Sequence, residues 1–435
     1  MLEKLKPHTY LIRLVGLLDQ VPDKKFMQYC KRFEAGGYIR DFGPTEEKAK
    51  QSLQDYLYPD FRKVMFGDAK DEHHVRFSNS DRRRFNLVIT KGEDQSTHSV
   101  FVVRCELYLF RGHIGLFSLK IELEPDQTIG VISDILNKIR NFNAKDSDNY
   151  DWHDWISKNY LTGIVLRSTE KNPVEADEFS GSKFKLFTAY DLEFNEEDRQ
   201  GLLYDMGTVS PINSGKGLTG LSPDPDYFNQ LLQNRVAAFK NWEALCLFDG
   251  FCAIGHKFLL DRDGVLKRDW DETYFRIYLF RLFFKYNLYR YSTLISKENS
   301  DKAVECRDQF EDFLNHYNIS HISFNFLPNM IFEKVGNALD LQTEVDMFRE
   351  RIRNLSTAIQ EKKQAKTNFL LQLVTGLSGL SVLSDLPGIV DQVLKFTHWT
   401  RTELSVYVIL LLVVLGFGVF YYLKPEQVKK WFVRK

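Results

Sequence analysis

The chain has 435 residues, 43% of them hydrophobic and 27% charged, with a formal net charge of −1 at neutral pH. That length accommodates two or three domains with real cores, and the even charge excludes a global bias toward nucleic acid or toward a strongly acidic or basic partner. Five cysteines, Cys30, Cys105, Cys246, Cys252 and Cys306, are odd in number and contain no C-x-x-C pair, which fits a reducing compartment and argues against a zinc site.

The N-terminal stretch MLEKLKPHTYLIRLVGLLDQ lacks a continuous apolar core and a small-residue cleavage site, so no secretory signal is expected. Residues 8–18 predict an opening strand, followed by a helical, mixed-charge stretch to about Lys70. Arg82, Arg83 and Arg84 read as the coat of an exposed strand end more readily than as a phosphate grip. Phe85–Thr90, Ser99–Phe110 and Ile114–Leu123 are rich in Val, Phe and Tyr and predict an antiparallel meander, with Arg111, Gly112 and His113 as a tight connection. Thr128–Phe142 shows helical spacing at Ile129, Ile132, Ile135, Leu136 and Ile139, and Tyr160–Leu166 and Lys183–Tyr190 predict further strands. Residues 1–270 together read as a mixed α/β, ligand-sensing domain.

Chemistry-bearing motifs are sparse. Ser214–Gly220 (SGKGLTG) could bring backbone N–H groups and Lys216 toward a phosphate, which makes Lys216 the candidate ligand contact, or could be a surface loop. It is not a Walker loop, because Gly217 stands where Ser or Thr would meet magnesium. His73-His74, Asp151-His153-Asp154 and Asp261-Asp263 have no matching ligand spacing elsewhere, and no G-x-S-x-G, H-E-x-x-H or kinase set occurs. Enzymatic activity is not expected.

From Asp271 the character changes. Tyr274–Ile295 is aromatic but punctuated by Arg276, Arg281, Lys285 and Arg290, predicting an amphipathic helix, and Lys302–Tyr317 predicts a second; residues 271–340 are read as flanking helices, with Pro328 at the corner. Residues 341–368 predict a stalk helix, because Leu341, Val345, Phe348, Ile352, Leu355 and Ile359 form a heptad seam. After Lys362, Lys363 and Lys366, residues 369–386 predict a first transmembrane helix, residues 387–403 an external loop, residues 404–423 a second transmembrane helix and residues 424–435 a basic cytoplasmic tail. At about 100° per residue, Glu361, Gln364, Asn368, Gln372, Thr375 and Gly379 share a polar stripe opposite the apolar seam. In a membrane such a stripe must face protein or water, so these residues, with Leu386, are expected to line a pore in a ring of identical helices. A pair of helices packing through Thr375, Gly376, Ser378 and Gly379 is the plainer alternative.

A cytosolic α/β domain, flanking helices, one long helix entering the membrane and a second span before the basic tail resemble the CorA-like family of pentameric channels and transporters. The resemblance is architectural and strongest over residues 271–435. The family's Gly-Met-Asn tripeptide is absent; Leu386-Pro387-Gly388 stands in its place. The chain is most similar to the divergent CorA-like effectors associated with type III CRISPR systems. That resemblance implies a homopentameric channel in the bacterial inner membrane, with lipid as partner and without direct nucleic-acid binding. It would be gated by a nucleotide second messenger such as an adenylylated S-adenosylmethionine conjugate and would act in antiviral defence. A divalent-cation transporter with an altered filter and a membrane-tethered scaffold are the alternative expectations.

Overall fold

A computed structural model of the chain describes residues 4–384 and Val406, apart from 21–25, 42–52, 54, 67–73, 92, 111–113, 141–149, 162–182, 214–221, 261–264 and 298–299. The chain divides into two compact units, Met1–Arg353 and Asn354–Lys435.

The first unit is organised by a mixed ten-stranded sheet. Its strands are β1 (Thr9–Gln20), β2 (Ile39–Arg40), β3 (His74–Asn79), β4 (Arg83–Lys91), β5 (Asp94–Phe110), β6 (Ile114–Leu123), β7 (Lys185–Asp191), β8 (Arg235–Val236), β9 (Trp242–Cys246) and β10 (Gly250–Gly255). They run in the order β2-β3-β5-β6-β1-β7-β10-β9-β8, and the long β5 pairs β4 along its first half and β3 along its second. The expected meander is therefore present as β4, β5 and β6. Of the described pairings β7 with β10 is parallel, and the others are antiparallel.

Period-two alternation divides the strands' side chains between two faces. On one face Ile12, Leu14, Phe77, Leu107, Leu119, Tyr190 and Ile254 join a continuous apolar core. It is covered by α1 (Phe26–Ala35), α3 (Ile129–Arg140), α4 (Tyr150–Asn159) and α5 (Arg199–Thr208), which contribute Phe33, Ile132, Leu136, Trp152 and Leu202. The isoleucines of α3 recur every three or four residues, so one stripe is buried, each side chain stabilising the fold by about 1.5–3 kcal/mol. The remaining helices are α2 (Pro59–Phe66), α6 (Pro225–Leu232), α7 (Val265–Asp269), α8 (Phe275–Lys297), α9 (Ser300–Tyr317), α10 (Phe326–Ala338) and α11 (Leu341–Ser384).

The other face is dominated by α8. Phe187 of β7 and Phe251 of β10 pack on Trp270, the latter stacked at 5.5 Å, while at the far side Phe110 of β5 stacks on Phe283 at 4.0 Å. Amphipathic spacing misdescribes this helix, since Tyr274 to Phe280 are all buried, Arg276 among them. It lies between the sheet and the outer helices, so it has no broad solvent face.

α10 occupies a stretch read from sequence as a lead-in with a corner at Pro328. The proline sits in the helix's first turn, where its missing N–H removes no intrahelical bond. Asp340, at φ 54°, turns the chain between α10 and α11. In the first turns of α11 the seam residues Leu341, Val345, Phe348 and Ile352 are buried, with Phe348 at 4.1 Å from Phe310 of α9. The heptad seam thus packs on the two preceding helices, through Tyr291 of α8 as well as Phe310 of α9.

In the second unit, α11 exposes Phe369, Leu370, Leu371, Leu373 and Val374. No helix among the described residues is long and apolar enough to cross a membrane. That overturns the expected α/β domain with a long stalk and a two-span transmembrane hairpin, and with it the membrane-protein and ion-channel assignments and the inner-membrane location. The physical reason is dilution. From Phe369 to Ser384 the helix is interrupted by Gln372, Thr375, Ser378, Ser381 and Ser384 and falls short of the about 20 apolar residues that a bilayer requires. The expected loop 387–403, the second span Leu404–Leu423 (Val406 apart) and the basic tail lie outside the described residues.

Candidate functional site

The most concentrated chemistry is a cluster of ions buried between the sheet and α8. A β-bulge creates it. Val102 pairs with Ile121 and Arg104 with Lys120, so Val103 is the extra residue and the alternation of β5 slips by one. Val100 and Val102 face the apolar core, as do Cys105, Leu107 and Leu109 after the bulge. Arg104, Glu106, Tyr108 and Phe110 are thereby turned to the opposite face. Register brings Lys120 of β6 beside both Arg104 and Arg13 of β1, and Arg76 of β3 beside Tyr108.

From the helical side, a π-helical turn, Trp270–Tyr274, leads into α8 and presents Asp271 and Glu272. Arg13, fully buried, joins the two layers: Nη1 lies 2.5 Å from Glu106 Oε2, and Nε donates to Asp271 Oδ1 at 2.8 Å. Lys120 pairs with the other Asp271 oxygen. Arg276 pairs with Glu272 and donates to the Tyr108 hydroxyl at 3.2 Å. Asp41 is gripped by Arg76 on one oxygen and by Arg104 at 2.8 Å on the other. Phe66 receives the Arg276 guanidinium at 4.5 Å and Phe275 that of Arg13 at 4.2 Å, so the charges are walled by rings.

Electrostatics fix the charges of Glu106, Asp271, Arg13 and Arg276. Burial alone would raise the Glu106 carboxyl, but Arg13, Arg104 and Arg276 outweigh it and hold it well below the usual range. For Asp271 burial is likewise outweighed by Arg13 and Lys120, and its pKa is lowered. Burial disfavours charged Arg13 and Arg276, yet the facing carboxylates raise both. Burial pushes the Tyr108 phenol up to about 12. A general acid or base needs a pKa near the working pH, and this cluster drives its members the other way. Its chemistry is that of a structural lock, since removing one partner would strand a buried charge.

The residues singled out from sequence lie elsewhere. Glu361, Gln364, Asn368, Gln372 and Thr375 are exposed on α11, and the Thr375 hydroxyl donates to Leu371 O at 2.8 Å. Gly379 is in the same helix. Lys216 with its glycine-rich loop, Leu386, His73 and Asp261-Asp263 lie outside the described residues. His74 Nε2 meets the Tyr317 hydroxyl at 2.7 Å, and Asp154 pairs with Lys158 one turn on. Arg82 pairs with Glu122 at 3.2 Å, Arg83 donates to Asn159 at 2.7 Å and Arg84 to Asn86 at 2.9 Å, as befits a strand-end coat. Among the described residues no group of three or more His, Cys, Asp or Glu could hold a metal ion.

Sequence inspection missed the ion cluster, although one signal was present. Arg104, Glu106 and Tyr108 alternate with Cys105, Leu107 and Leu109 in a segment already read as a strand, and Arg13 interrupts an apolar one. Comparison with known proteins finds no matching family model, no matching curated protein and no matching solved structure.

Proposed function

We propose that the chain is a self-assembling, non-catalytic scaffold, with α11 as the element through which copies associate. The observation that carries this is the run Phe369, Leu370, Leu371, Leu373 and Val374, five large apolar side chains that are 46 to 59% exposed on one helix. A contiguous apolar surface of that kind marks an interaction site. At about 100° per residue the five spread over about 200° of the helix circumference, more than one neighbouring helix covers. Association of three or more copies fits that width better than a pair.

Water, not lipid, then sets the orientation. Glu361, Gln364, Asn368, Gln372 and Thr375 occupy the complementary arc of about 80°, and in an aqueous bundle that stripe faces solvent while the apolar run faces inward. This reverses the inward polar stripe that a membrane would impose. The charges of Glu106, Asp271, Arg13 and Arg276, all driven away from neutrality, support a non-catalytic body.

Sedimentation velocity on the full chain tests the reading. A species of three or more protomers is expected at micromolar concentration, and Leu370→Gln with Leu373→Gln should return it to monomer. A wild-type chain that stays monomeric over the same range would overturn it.

A further inference from the structure

Arg281, partly buried on α8, differs from the buried arginines. Arg13, Arg76, Arg199 and Arg276 each meet at least one carboxylate. Among the described residues Arg281 forms no ion pair, and burial lowers its pKa to about 9, so it remains charged at neutral pH. A guanidinium partly withdrawn from water, with no carboxylate beside it, can be completed by an anion.

The guanidinium is held ready for one. Its face lies 3.2 Å from the centre of the Phe332 ring on α10, and its Nε donates to Phe332 O at 3.1 Å. One turn on, Gly336 leaves space for it: a Cβ there would meet Nη2 at 3.1 Å and Cζ at 3.2 Å. Ring and carbonyl fix the plane and rotation of the group. Packing would be fully served by these contacts, yet Nη1 and Nη2 make no hydrogen bond to the protein and neither is sealed off from solvent. Two parallel N–H donors at an open edge match the paired oxygens of a carboxylate or phosphate.

We propose that Arg281 anchors an oxyanion-binding site between α8 and α10, in which its two Nη groups grip a phosphate or carboxylate of a small ligand. Pre-orientation by Phe332 and Gly336 lowers the ordering cost of binding. The site goes beyond the assembly reading and does not rest on it.

Isothermal titration of the full chain with inorganic phosphate, and separately with succinate, at matched ionic strength in chloride tests the site. Saturable binding of one anion per chain is expected. Arg281→Lys keeps the charge but loses the fork and should weaken binding about tenfold or more, and Arg281→Gln should abolish it. Gly336→Ala should also weaken it, because the new Cβ presses on Nη2 while every charge is retained. Binding of phosphate without succinate identifies a phosphoryl ligand, and the converse a carboxylate. Near-ultraviolet circular dichroism reports folding; should Arg281→Gln not fold, Arg281→Lys and Gly336→Ala decide. Absence of saturable binding to either anion in the wild type, or undiminished binding in both of those variants, would overturn the proposal.

Discussion

Two regions of this molecule reverse the usual placement of polar and apolar groups, and they do so with opposite consequences. In the body, Arg13, Glu106 and Arg276 are buried; on α11, Phe369, Leu370, Leu371, Leu373 and Val374 are exposed. The buried ions are completed within the chain, each charge meeting an opposite one. No such completion is present among the described residues for the apolar run, whose side chains are exposed. A buried polar group and an exposed apolar patch are both informative, but the first asks what satisfies it and the second asks what covers it. Here the first question is answered by the chain itself, and the second points to other copies of it.

The largest effect should come from breaking the self-completed region. Glu106→Gln leaves Arg13 and Arg104 facing a neutral amide inside the protein and should cost about 3–5 kcal/mol of unfolding free energy. Chemical denaturation monitored by circular dichroism checks it. A loss under about 1 kcal/mol would mean that water already compensates these charges.

Ile352→Ala probes the buried end of the same helix that is exposed further on. Ile352 is 7% exposed, so truncation should cost about 2–5 kcal/mol, read as a lower denaturation midpoint. The double change Leu370→Gln with Leu373→Gln should leave that midpoint, measured at a concentration where the chain is monomeric, within about 0.5 kcal/mol of wild type. Equal destabilisation by the two changes would erase the distinction between covered and uncovered parts of α11.

Acid should act on the ion cluster. Glu106 and Asp271 have folded pKa values below their ordinary ones, so the unfolded chain takes up their protons first as pH falls. Their contribution is complete above about pH 5, beyond the ordinary carboxylate values, and is lost as the pH drops from there toward the folded values. The stability of wild type should therefore decline below about pH 5, and that of Glu106→Gln should decline less steeply. Parallel slopes from pH 5 to about pH 2 would assign acid sensitivity to other groups.

Local pattern made most of the elements legible. The β-rich content of β1 and β4 to β7, the isoleucine stripe of α3 and the heptad seam of α11 were all visible in sequence, because each is a local property of one element. Two features were hidden by partners remote in the chain. Arg13 finds Asp271 at a separation of 258 residues, and Arg276 looked like a solvent-facing charge until Glu272 and Tyr108 were placed around it. The bulge at Val103 was equally silent, since an inserted residue leaves composition unchanged while reversing which side chains are buried. On α11 the error ran the other way: exposed leucines were assigned a lipid solvent, when the helix that carries them is too polar to cross a membrane. Hydrophobicity alone does not say what covers a surface.

Single-cysteine cross-linking tests the assembly most directly. All five native cysteines are buried, so a thiol placed on α11 would be the reactive one. Leu373 belongs to the apolar run and Gln372 to the polar stripe, yet they are neighbours in sequence and both exposed. In the full chain Leu373→Cys should form inter-protomer disulfides rapidly under mild oxidation, whereas Gln372→Cys should remain mostly reduced. Preferential cross-linking at Gln372, or none at either position, would contradict an aqueous bundle closed by the apolar face of α11.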